Sequence, residues 1–400
     1  MSPKRNKRDW SKVNPETTSV WAGEMEPFFQ KAAQVPVVHS VTFAYDDLDE
    51  WTDVALGNKS GHIYSRNTNP TVNVFEEKIC ALEGAEATTS FATGMAAISN
   101  TLFSLLSPGQ RIVSTKDTYG GTSRLFLEYL PQYGIQTQLC DTTDHEQLES
   151  EILKGCQILY LETPTSPTLK VVDLQRLTAS ARSVGAVVIV DNTLATPLNQ
   201  RPLTLGADLV VHSATKFLCG HSDALGGALC GRKDLVDKVF HFREINGASL
   251  DPMSAYLILR GMKTLALRVK CQNDNALKIA GFLKSHSKVA EVFYPGLESH
   301  PGHDIAKRQM TGFGGVLSFS LKGDFQNVKT FLGHLEFVHL AAHLGSVDTI
   351  AGPPRTTSHV ELSLEERQAL GIPESLIRYS VGIENVEDLI KDLDSAFAAL

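Results

Sequence analysis

Two positions with reactive side chains close neighbouring apolar runs. Residues 187–190 are all valine or isoleucine and lead into Asp191, then Asn192 and Thr193; the next run, 208–211, leads into His212-Ser213-Ala214-Thr215-Lys216. A carboxylate at such a site can keep a ring nitrogen protonated, and a lysine can form an imine with an aldehyde and afterwards carry protons. Together they meet the needs of a pyridine aldehyde cofactor, whose ring drains charge from a carbanion. Either residue alone has a simpler reading, the aspartate as a helix cap and the lysine as a surface charge. A third signal concerns phosphate. Thr93-Gly94-Met95 follows a strand-like run ending at Phe91 and opens a helix whose first amides would face an anion. Gly94 by itself could equally be a turn glycine.

Positioning such groups calls for a sheet whose strands end together. Apolar runs at 111–114, 135–139, 157–161, 186–190 and 208–211 alternate with amphipathic stretches at 144–154 and 173–184. That alternation predicts an α/β fold with a mostly parallel sheet covered on both faces, and ligands beyond the carboxyl ends of its strands. Helical spacing of Val72, Phe75, Ile79 and Leu82 stops at Gly84, and a second helix spans 95–106. Beyond residue 250 the pattern changes: 254–286 is largely helical, and strands such as 316–321 mix with helices including 385–400. The chain reads as an arm (1–61) of weak periodicity, a large α/β domain (62–250) and a smaller C-terminal α+β domain (251–400).

His212-Ser213-Ala214-Thr215-Lys216-Phe217, followed by Gly220-His221-Ser222-Asp223, resembles the cofactor-lysine signature of the Cys/Met-metabolism enzymes dependent on pyridoxal 5′-phosphate (PLP). The resemblance extends to Tyr64-Ser65-Arg66, Asn69-Pro70-Thr71, Thr93-Gly94-Met95, Tyr119-Gly120-Gly121, Glu162-Thr163-Pro164, Val190-Asp191-Asn192-Thr193 and Arg378-Tyr379-Ser380-Val381-Gly382, in that order along nearly the whole chain. It implies the fold of PLP-dependent transferases of the aspartate aminotransferase type (fold type I). It also implies roles. Lys216 would carry PLP and move protons, Asp191 would pair with the ring nitrogen, and Tyr119 would stack on the ring. Thr93, Gly94, Met95, Thr193, Ser213 and Thr215 would complete the cofactor site. Tyr64 and Arg66 would reach the phosphate of a neighbouring subunit in a homotetramer built as a dimer of dimers. Arg378 would clamp the substrate α-carboxylate.

Within that family the signals are mixed. Tyr119 to Arg124 resembles the cystathionine γ-synthase and γ-lyase branch, where Arg124 would hold a distal carboxylate and Asp348 would lie near the substrate tail. Thr356-Thr357-Ser358-His359 and 362–371 resemble the sulfhydrylase and methionine γ-lyase branch. Three residues depart from the pattern: Ser166 for a frequent asparagine, Arg355 for a small residue, and His343 for a serine that is frequent beside the cofactor lysine. His343 brings a titratable imidazole to the imine and the substrate. The reading is γ-replacement on an O-acylated homoserine, cystathionine γ-synthase-like, through a vinylglycine-type cofactor intermediate. The alternative is γ-elimination to a 2-oxoacid and ammonia. A non-catalytic PLP-binding protein is disfavoured because Lys216, Asp191, Tyr119 and Arg378 are all present.

Composition narrows the remaining classes. A net charge of −8 with no basic stripe argues against a nucleic-acid surface. The cluster Lys4, Arg5, Lys7 and Arg8 is a targeting tail or, as its brevity favours, a solvated terminus; no apolar segment follows it to make a secretion signal. No run of 18 apolar residues could span a membrane. The six cysteines lie scattered without a CxxC pair, which suits a reducing compartment and neither disulfides nor a metal site. A cytoplasmic enzyme with a small amino-acid substrate is the expectation.

Overall fold

The computed structural model describes residues 9–24, 28, 31–360 and 362–400; the basic cluster at residues 4–8 lies outside them. Seven short strands form the larger sheet: β1 (Ala87–Phe91), β2 (Arg111–Thr115), β3 (Gln136–Cys140), β4 (Ile158–Glu162), β5 (Val187–Asp191), β6 (Leu209–Ser213) and β7 (Gly227–Gly231). Their order across the sheet is β1-β7-β6-β5-β4-β2-β3, and only β7 runs against its neighbours. Alternate residues of a strand face opposite sides, and both sides are filled here. Ile158, Tyr160 and Ile189 join one core with Ile98, Leu102 and Phe126, while Leu159, Leu161, Val188 and Val190 join another with Leu148, Leu174 and Leu177. This explains why β4 and β5 read as unbroken apolar runs.

The C-terminal part carries β8 (Val289–Phe293), β9 (Val316–Leu321), β10 (His339–Leu340), β11 (Ile350–Gly352) and β12 (Leu376–Ser380), ordered β10-β11-β12-β9-β8. This second sheet is antiparallel except for the β10–β11 pair. One helix ties the halves together. The first turns of Leu265–Ser285 bury Leu265 and Val269 in a core shared with Val72, Phe75 and Ile79, and its last turns bury Ile279 and Leu283 against Phe319 and Phe397.

The arm departs from an extended reading, since it holds the helices Pro15–Trp21 and Leu48–Ala55. Its anchor is the buried ammonium of Lys78, which donates to the carbonyls of Ser19 and Val20 and to Glu24 Oε1 at 2.9 Å. Lys263 reaches the other oxygen of Glu24 at 2.6 Å.

Candidate active site

The carboxyl ends of β4, β5 and β6 converge on a cavity of about 300 Å³, closed on its far side by β12 and by loops at 342–344 and 357–359. Asp191 ends β5 directly opposite Glu162, the last residue of β4. Its Oδ1 accepts the Thr193 amide at 3.0 Å, and Tyr160 Oη lies 3.4 Å from Oδ2. Burial pushes the Asp191 carboxyl up, and its bonds to Thr193 pull it back. Among the described residues no lysine or arginine pairs with it, so a buried carboxylate faces the cavity without a cation of its own. Glu162 is fully enclosed and raised further, by burial and then by Asp191, while its Oε2 accepts the Tyr119 amide at 2.7 Å.

Lys216 follows β6 and projects into the same space. Burial, with Arg378 second, lowers its ammonium to about 8, so far more free amine exists near neutral pH than at an exposed lysine. Nζ lies 3.2 Å from His343 Nδ1. That loop reaches the lysine because Gly345, at φ 79°, passes so close that a Cβ there would sit 2.8 Å from the Phe217 amide nitrogen. His343 is itself held neutral, its imidazolium lowered to about 4 by burial, Lys216 and Arg378.

The helix Gly94–Leu105 starts at the cavity wall. Thr93 caps it by accepting the Ala96 amide, which leaves the Gly94 and Met95 amides without partners inside the helix. A Cβ on Gly94 would meet Ser213 Cβ at 2.7 Å, so glycine lets the helix start press against the end of β6. Thr193 Oγ1 accepts the Ser213 amide at 2.9 Å and binds two of these strand ends together. Thr215 shares its hydroxyl with Gly226.

On the other side Arg378, from β12, is buried and pairs with no carboxylate among the described residues. It donates to the His343 carbonyl at 3.1 Å and reaches Ser166 Oγ at 3.4 Å. Burial lowers it to about 10, still charged at any working pH. His359, which the residue types alone did not single out as lining the site, stands beside it; burial and Arg378 lower its imidazolium to about 4. Glu162 was also missed as a site residue, although its place at the end of a buried strand was a usable signal.

His343 touches Lys216 from behind the cavity lining, and four other expected site residues lie away from both. Arg124 Nε pairs with Glu128 Oε1 at 3.2 Å on an exposed helical turn. Asp348 is exposed and accepts the Ser346 hydroxyl. Tyr64 and Arg66 stack on each other at the surface, with Arg66 donating to the Glu244 carbonyl. Arg355 turns away as well, lying over the Phe325 ring at 4.3 Å and pairing with Glu374 at 2.7 Å, which accounts for a large residue at that position.

A phosphorylated pyridine aldehyde fits what is present. The cation-free Asp191 suits a protonated ring nitrogen, the partly neutral Lys216 an aldehyde, and the open amides at Gly94 and Met95 a phosphate. The comparisons with known proteins agree. Residues 16–398 match the family described as Cys/Met metabolism PLP-dependent enzyme. An L-methionine gamma-lyase of Fusobacterium nucleatum subsp. polymorphum is 42% identical over 381 residues, 94% of this chain and 96% of that protein. A chloroplastic cystathionine gamma-synthase 1 of Arabidopsis thaliana is 42% identical over 371 residues, 92% of this chain and 66% of that one. Among solved structures, a cystathionine gamma synthase of Xanthomonas oryzae pv. oryzae, in complex with aminoacrylate and cysteine, superposes with a TM-score of 0.91 at 36% identity, covering 97% of this chain and 99% of that one.

Proposed function

The chain belongs to the Cys/Met-metabolism PLP-dependent enzymes of sulfur amino-acid metabolism, and from that membership we propose that it replaces the γ-substituent of an O-acylated homoserine with a thiol. When bound, PLP supplies an electron sink for charge developing at the Cα of an amino acid. Asp191 would hold the ring nitrogen, the Gly94 and Met95 amides with Ser213 and Thr215 would take the phosphate, and Tyr119 would lie against the ring. Arg378 takes the substrate α-carboxylate in its two-pronged fork. Lys216 would take the Cα proton, hand it on and, as a free amine again, take a Cβ proton, so that the γ leaving group departs with its electron pair. The thiol would then add at Cγ and the lysine return a proton to Cβ.

The observation that carries this reading is the pairing of a proton-accepting amine, Lys216, with a buried guanidinium, Arg378, that has no carboxylate partner among the described residues. The remaining rim, Thr357, Ser358 and His359, is uncharged, and Arg124 is engaged with Glu128. Those features support a short acyl group such as acetyl, and a small nucleophile, over a succinyl substrate. The second reading, γ-elimination, is favoured by the similarity to methionine gamma-lyases. Incubation with O-acetylhomoserine, O-succinylhomoserine or methionine, each with and without cysteine, decides between them by product mass. Replacement gives a thioether that accumulates with added cysteine and outweighs the 2-oxoacid. A 2-oxoacid yield indifferent to cysteine overturns it.

The proposal includes assembly as a homotetramer, a dimer of dimers, in which Tyr64 and Arg66 serve a neighbouring subunit. Their surface position away from the cavity of their own chain supports this. It also includes a cytoplasmic setting, supported by six unpaired cysteines. Among the described residues no helix is long and apolar enough to cross a membrane.

A further inference from the structure

We propose that His343 is a positioning residue that sets the base strength of Lys216, its Nδ1 accepting a hydrogen bond from the ammonium form. The inference rests on the γ-reading above only where it concerns the Cβ proton. Nδ1 stands 3.2 Å from Lys216 Nζ. The other ring nitrogen, Nε2, is buried and has no partner among the described residues, so the tautomer follows Lys216, and facing its ammonium form Nδ1 is the unprotonated acceptor. The backbone carbonyl of the same residue accepts from Arg378 at 3.1 Å. One residue therefore spaces the base from the carboxylate clamp.

The electrostatics give this contact a direction. Burial and Arg378 both disfavour the Lys216 ammonium. The other ionisable groups lining the cavity are Glu162, Asp191, Tyr119 and His359. None of these has a hydrogen bond to Nζ, whereas His343 does. Because burial, and after it Lys216 and Arg378, keep the imidazole neutral, it does not become a competing cation in the working range. A bond to the protonated form favours that form and makes the amine a stronger base. Base strength matters most for the Cβ proton, the less acidic of the two that Lys216 removes.

The test uses two substitutions. His343→Leu removes the acceptor at similar size, and His343→Asn restores an acceptor near the position of Nδ1. In the apo-protein, the pH dependence of Lys216 acylation, read by peptide mass, should have its midpoint below that of an exposed lysine for the native chain. The midpoint should fall by about one unit in His343→Leu and return in His343→Asn. In the PLP-loaded enzyme at high pH, where the amine is free in all three proteins, L-norvaline in D₂O reports Cα and Cβ exchange by NMR. Cβ exchange should drop roughly threefold to tenfold in His343→Leu, more than Cα exchange does, and recover in His343→Asn. An unmoved acylation midpoint in His343→Leu overturns the proposal. So does an Asn variant that recovers neither measurement. A native enzyme that exchanges Cα but never Cβ would instead overturn the γ-reading, leaving the apo-protein titration to judge His343 independently.

Discussion

Arg378 and Arg124 are both arginines expected to face substrate carboxylates, and their surroundings separate them. Arg378 is buried with its fork held by a carbonyl and a hydroxyl, so an incoming carboxylate meets a charge with no acid to displace. Removing a charged hydrogen bond costs roughly 1.5–3 kcal/mol, and Arg378→Gln should therefore lower kcat/KM about ten- to a hundredfold. The protein should keep its bound cofactor, read by absorbance. Arg124 sits one turn from Glu128 in an exposed pair of a kind worth about 0.3–0.5 kcal/mol. Arg124→Ala should change kcat/KM by less than about twofold for substrates with or without a distal carboxylate. A tenfold loss confined to the dicarboxylic substrate would return Arg124 to the substrate tail. What separated the two arginines was environment, which sequence does not display: Arg378 meets His343 and Ser166 across the fold. His343 stood out only as a departure from a pattern, and Ser166 likewise.

At the scale of elements, the helix Gly94–Leu105 holds the anion end of the site, and its start depends on two residues. Thr93→Ala removes the cap and should cost about 1 kcal/mol of stability by denaturant titration, with a modest loss of cofactor affinity. Gly94→Ala should harm both the cofactor site and the fold. The added methyl meets the Ser213 side chain and backbone, and the helix start must move away from β6. Dialysis against cofactor-free buffer should strip PLP from this variant faster than from the native protein, and its melting temperature should fall as the overpacked helix start shifts. The elements legible in the sequence were those with a strong internal signal. β4, β5 and β6 are apolar runs buried on both faces, and their ends place Asp191 and Lys216. β7 was not legible, because Gly227-Ala-Leu-Cys-Gly231 is short, bracketed by glycine and defined by pairing with strands far away in sequence. The arm helix Leu48–Ala55 escaped for another reason: Leu48 and Trp51 are exposed, so it lacks the buried stripe that marks a helix.

For the whole molecule, the proposed shared site makes a prediction that no single chain can satisfy. Lys216→Ala lacks the base and Arg66→Ala lacks the arm that would serve the neighbour. Each should be inactive alone, and mixing them under conditions of subunit exchange should restore activity through hybrid sites. A fully active monomer in sedimentation at assay concentration excludes the arrangement. The two sheets also divide the labour of the cavity. Asp191, Ser213, Lys216 and the Gly94 amide belong to the larger sheet and the helix beside it, whereas His343, His359 and Arg378 come from β12 and the loops around the smaller sheet. Divergence within the family could exploit that separation. Substitutions in the C-terminal loops could redirect a duplicated gene toward elimination or replacement while the cofactor cradle stays intact, so a lineage could change its reaction without passing through an ancestor unable to bind PLP.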